Sequence, residues 1–167
     1  LVVKVKNHTF MLKFKAMEKQ VEILKANRKG ILSLIEGLSI MQLNKVPQGF
    51  KNNIAWNVAH LLVTQQLLCY KLSGLPMKVS DDLITRFQKG STASEFIDEK
   101  EFNEIKKRLL TIVDDFMDDY NNNLFKQFTA YTTSANVTLN NLSDAIEFNN
   151  FHEGIHFGYM LAMKKSI

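Results

Sequence analysis

The chain has little of what punctuates or staples a fold: one cysteine, two prolines and seven glycines among 167 residues. A single thiol, Cys69, excludes an internal disulfide and points to a reducing, cytoplasmic setting. So few breakers leave long stretches uninterrupted, which favours helices over a strand-and-turn architecture. No apolar run has the length of a membrane span, and the first residues lack the order of an export signal, so no membrane partner is expected. Basic residues outnumber acidic ones only 21 to 17. They form no stripe and accompany no recognition motif, which argues against nucleic acid as a partner. Tryptophan occurs once, whereas 12 phenylalanines supply the large flat side chains of one substantial core.

What is present is helical periodicity. Val21, Leu24, Ile31, Leu34, Ile35 and Leu38 recur at threes and fours, predicting a helix from about residue 17 to 38. A second runs from a cap at Asn52 or Asn53 to about residue 72, where Ser73-Gly74-Leu75-Pro76 ends it. Ser80-Asp81-Asp82 caps a short helix. A third long pattern spans about 98 to 120, closing on Asp118 and Asp119 at the unfavourable end of the helix dipole, where fraying or a nearby cation is expected. Residues 121–140, rich in Asn and Thr, read as a connection, and the fourth long pattern runs from Asn141 or Ser143 to about 164. The expectation is an all-α domain, a four-helix bundle over residues 17–167. Residues 1–16 read as an N-terminal extension or tail without a catalytic role.

Histidine is also scarce, with four in the chain, so its placement is informative. His152 and His156 stand at i and i+4, where both imidazoles leave one helix face and can converge on one ion. With Glu153 they spell H-E-x-x-H, the pattern of zinc proteases. The rest of that reading fails: only 11 residues follow His156, and the later markers of the extended motif are replaced by Tyr159 and Ala162. His60, inside the apolar second helix, is the third candidate ligand, since facing helices of a bundle can bring such side chains together. Three imidazoles suit zinc, nickel, iron or copper and leave a position for water or substrate. A histidine hydrogen-bonded in the core is the bland alternative for each.

Around the histidines, Asn53, Asn57 and Asn149 are placed to orient a water or ligand. Glu153, rotated about 100° from His152, is expected at the rim, helping a proton transfer or simply solvated. Tyr159 is expected to pack. Cys69 lies 2.5 turns beyond His60, too far along the axis to join its ligand sphere, and reads as core.

The run Asn53-Ile54-Ala55-Trp56-Asn57-Val58-Ala59-His60, followed far downstream by Phe148-Asn149-Asn150-Phe151-His152-Glu153-Gly154-Ile155-His156, resembles the DinB-like superfamily from about residue 17 to 165. The resemblance implies an up-down-down-up four-helix bundle with a long crossover between its second and third helices. It further implies one divalent metal ion, zinc or nickel, on His60, His152 and His156, and homodimers formed through bundle faces. Among such proteins are S-transferases that use a low-molecular-weight thiol, so the implied activity is metal-dependent transfer of a thiol to a small-molecule substrate. Hydrolysis of a small substrate and metal binding without turnover, as in a stress-response protein, are the alternatives. Asn57, Asn149 and Glu153 are the candidate catalytic groups.

Overall fold

In the computed structural model, side chains are described from Lys15 to Ile167 and the backbone helix from Val2. His8 and nearly all of the 1–16 extension therefore lie outside the residues whose side chains are described. The elements are α1 (Val2–Ile35), α2 (Ile40–Asn44), α3 (Ile54–Gln65), α4 (Asp81–Phe87), α5 (Glu99–Asn121), a hairpin of β1 (Tyr131–Thr132) and β2 (Thr138–Leu139), and α6 (Leu142–Lys164). A π-helical turn, Gln66–Lys71, continues α3.

Local chemistry starts each of the later helices. The Asn53, Ser80, Asp98 and Asn141 side chains each accept a hydrogen bond from a backbone N–H of the first turn, satisfying donors that have no partner within the helix. Ser39 and Gln42 form a reciprocal capping box that starts α2. This short helix follows the Gly37 turn, whose φ of 78° suits glycine. The helix expected to run to residue 38 instead ends at Ile35, and α2 is a separate element.

Each of the four long helices packs on two others: α1 on α5 and α6, and α3 on α5 and α6. Residue pairing gives their directions. Asn150 meets Gln20 and Lys164 meets Leu34, so α1 and α6 run parallel. Arg28 reaches Leu109 and Lys25 reaches Asp114, so α5 is antiparallel to α1. Asn57 reaches His156 and Met163 while His60 reaches His152, so α3 is antiparallel to α6. The bundle is thus up-down-down-up, and the segment from Leu72 to Asp98, carrying α4, is the long crossover that two parallel neighbours require.

The core is aliphatic and aromatic, built from Leu24, Ile31, Leu61, Leu62, Leu109, Ile112, Phe116, Ile146 and Met160 among others. Removing such side chains from water is the main favourable contribution to folding. Gly30 of α1 has a specific steric role: a Cβ there would stand 3.1 Å from the Phe157 ring of α6. At the acidic end of α5, Asp119 accepts from Tyr70 Oη at 2.6 Å and pairs with Lys78 of the crossover. A cation thus offsets the unfavourable dipole interaction. The connection after α5 is more ordered than its composition suggests, since β1 and β2 pair antiparallel, Tyr131 opposite Leu139. Thr129 N–H donates to Leu72 O at 2.6 Å, fastening that connection to the end of the π turn.

Candidate metal centre

His60 projects from the middle of α3, and His152 and His156 from adjacent turns of α6. Their ring nitrogens form one cluster, with ligand atoms within 4.8 Å of one another. His152 Nε2 stands 3.3 Å from His60 Nε2 and 3.1 Å from His156 Nε2. Trp56, one turn before His60, stacks on its ring at 4.5 Å between centroids and 13° between planes.

The far side of two rings decides what the cluster can do. His60 Nδ1 lies 2.6 Å from the Phe87 carbonyl at the end of α4. A carbonyl only accepts, so Nδ1 carries the proton and Nε2 keeps its lone pair. His156 Nδ1 lies 2.7 Å from Asn57 Oδ1. Asn57 Nδ2 donates to Asn53 O at 2.7 Å and faces Met163 Sδ at 3.8 Å, which turns its Oδ1 toward His156. His156 is therefore also protonated at Nδ1, with a lone pair at Nε2. A single N–H on His152 Nε2 could serve only one of these two acceptors, whereas one cation serves all three nitrogens. Zinc–nitrogen bonds of about 2.0–2.1 Å at tetrahedral angles put ligand nitrogens about 3.3–3.4 Å apart, close to the two separations found here. The residues fit a divalent ion held by neutral imidazoles.

Electrostatics favour that neutral state. Burial lowers the pKa of His152 to about 3, with the positive charges of His156 and His60 acting in the same direction. Burial likewise lowers His156 to about 4, aided by His60. His60 is lowered by burial, with its bond to Phe87 O opposing the shift.

The cluster opens on a cleft of about 680 Å³. Its lining includes apolar side chains, Leu67 and Leu68 of the π turn, Leu72 just after it and Phe148 of α6. It also includes the polar Lys71, Gln88 and Lys89 and the hairpin-region residues Tyr131, Thr133 and Ser134. Thr64 lines it too, its Oγ1 3.3 Å from His60 Nε2.

Glu153 is not at the rim. It is 0% exposed and sits on the side of α6 that faces α1. Arg28 Nη2 meets its Oε1 at 2.7 Å and Arg28 Nε lies 3.1 Å from the same oxygen. Arg28, also 0% exposed, donates further to Leu109 O at 2.6 Å and to Gln65 Oε1 at 3.2 Å. Asn149 Nδ2 donates to Glu153 Oε1 at 3.2 Å, so it serves this buried pair rather than an imidazole. The rim position expected from the 100° rotation is not realised, because α6 packs on both α1 and α3 and its buried arc is correspondingly wide.

Of the other residues singled out, Asn57 accepts from an imidazole, that of His156 rather than His60. Asn53 caps α3 and donates to Asn44 O at 2.9 Å. Tyr159 packs edge-on against Phe50 at 4.9 Å. Cys69 is core, its thiol pushed up to about 12 by burial. Arg28 was missed, and a lone arginine in a lysine-rich segment gives no sequence signal of burial.

Fold and cluster together describe a four-helix bundle whose last helix carries two histidines, and whose second long helix carries one, of a group that could hold a metal ion. Residues 23–160 match the family model described as the DinB superfamily, and the chain belongs to that superfamily. No curated protein matches it.

Proposed function

We propose that the protein holds one divalent ion, zinc or nickel, on His60, His152 and His156, and that it is an S-transferase that activates a low-molecular-weight thiol. The observation that carries this reading is the convergence of three Nε2 atoms, two with lone pairs fixed by their Nδ1 partners, at the floor of a ligand-sized cleft. An ion bound there supplies Lewis acidity, which lowers the pKa of a thiol brought to it.

The chain's own groups then do the positioning. Phe87 O and Asn57 Oδ1 hold two imidazoles in the tautomer that presents Nε2. Thr64 Oγ1 supplies a hydroxyl beside the cluster, able to donate to an incoming sulfur. Leu67, Leu68, Leu72 and Phe148 exclude water from one side and receive the apolar part of an electrophile. A panel of low-molecular-weight thiols with a chromogenic aryl halide tests the reading on metal-loaded protein. Thiol-dependent conjugation that falls on removal of the ion is expected. Metal-dependent ester hydrolysis without thiol would replace transfer by hydrolysis, and metal binding with neither activity would make this a binding protein.

The homodimer belongs to the same proposal. Phe151, Ile155 and Leu161 are exposed along α6. Gly154 and Gly158 lie in the same helix with nothing within 4 Å of an added Cβ, leaving room for a second helix to approach. Light scattering reading twice the chain mass would support it, and a monomer at micromolar concentration would count against it.

A further inference from the structure

We propose that the cleft beside the three histidines takes a ligand bearing an acid group, which Lys71 and Lys89 seat while the apolar side chains of the lining take the remainder. The proposal rests on the functional reading above and narrows its ligand class to acidic thiols.

The cleft is asymmetric in charge. Its lining holds two lysines and no aspartate or glutamate. Several other cations of the fold are neutralised: Lys25 by Asp114, Lys78 by Asp119, Arg86 by Glu95 and Glu101, and Arg108 by Asp115. Lys71 and Lys89 have no carboxylate partner among the described residues, and both are exposed at the cleft. Apart from the histidines, the two lysines are the charged side chains of that lining, and an anion entering the cleft meets attraction without a competing acid.

Both lysines are positioned by elements that also build the histidine site. Lys71 ends the π turn that continues α3 beyond His60 and Thr64, and the backbone of the next residue, Leu72, is tied to Thr129. Lys89 lies two residues after Phe87, whose carbonyl orients His60. Its neighbour Gly90 takes a φ of 95°, a turn that lets the chain leave α4 over the cleft. Thr133 and Ser134 add hydroxyl donors from the hairpin, suited to the acceptor oxygens of a carboxylate. A cleft of about 680 Å³ exceeds the needs of a bare anion and leaves space along Leu67, Leu68, Leu72 and Phe148.

The test compares two thiols of similar size, mercaptosuccinate and uncharged thioglycerol, by calorimetry on metal-loaded protein. Wild type is expected to bind the acidic thiol about tenfold more tightly at low salt, the scale of a charge-assisted hydrogen bond, with the difference shrinking as salt rises. Lys71→Gln and Lys89→Gln should each remove most of that advantage and leave thioglycerol unchanged, while Lys71→Arg retains it. Equal affinity for the two thiols in wild type, or an advantage unaffected by both substitutions, would overturn the proposal. Metal content of the same preparations reports separately on the ion reading. The same comparison on metal-free protein gives the charged-minus-neutral difference without chelation of an ion by the carboxylates, so it reports on the acid subsite alone. Both lysines are exposed, so the variants are expected to fold, and an unchanged thermal midpoint verifies it.

Discussion

Replacing Glu153 by alanine separates two meanings of the H-E-x-x-H stretch. As a water-activating base, Glu153 could be removed with loss of activity and little loss of stability. In the observed position its removal leaves the Arg28 guanidinium 0% exposed and without a counter-ion. Only the Leu109 carbonyl and the Gln65 amide oxygen remain as acceptors, and Asn149 Nδ2 loses its partner as well. Breaking one half of a buried pair typically costs about 3–5 kcal/mol. For a chain of this size each kcal/mol moves the thermal midpoint by roughly 2–4 °C, so a fall of about 6–20 °C is expected. Thermal and denaturant unfolding of wild type, Glu153→Ala and the double variant Arg28→Met/Glu153→Leu measure the midpoint and the free energy. The double variant should recover most of the loss, because apolar side chains of similar volume replace a desolvated pair at little net cost. A Glu153→Ala protein within about 1 kcal/mol of wild type, the range of an unremarkable substitution, would refute the assignment of this carboxylate to the buried pair.

Asn57→Ala removes the acceptor that fixes the His156 tautomer, so metal affinity should fall about 10–100-fold, read by competition with a chromophoric chelator while the helical circular dichroism is retained. The pH dependence of the metal-free protein follows from its depressed imidazoles. Each folded pKa lies below the ordinary 6.5, so the unfolded chain binds the extra protons. Stability is then full above pH 6.5 and declines as pH falls toward about 4 for His156 and about 3 for His152. The slope is at most about 1.4 kcal/mol per pH unit for each imidazole. Thermal melts between pH 7.5 and 4 check the sign, and a midpoint that rises on acidification would contradict it.

The parts of this fold legible in the sequence are those governed by local chemistry. Asn53, Ser80, Asp98 and Asn141 announce helix starts because a short polar side chain next to an apolar periodic run has a nearby backbone N–H to satisfy. The histidine triad was legible because i, i+4 spacing sets one face and His60 supplied the remaining imidazole within an apolar helix. The parts that were not legible depend on distant partners. Arg28 and Glu153 are 125 residues apart, and either alone resembles a solvated charge. The hairpin escaped because strands of two residues are too short to show alternation. The π turn escaped because residues 66–71 hold no glycine or proline that would mark a change in helical winding.

Everything proposed for the cleft turns on three imidazoles from two helices holding one ion. Untagged protein, purified without chelator and analysed by plasma mass spectrometry alongside His60→Ala, tests it most directly. About one equivalent of zinc or nickel per chain is expected in wild type, falling sharply in the variant. Wild-type protein that binds no divalent ion, even after incubation with zinc or nickel, would contradict the account.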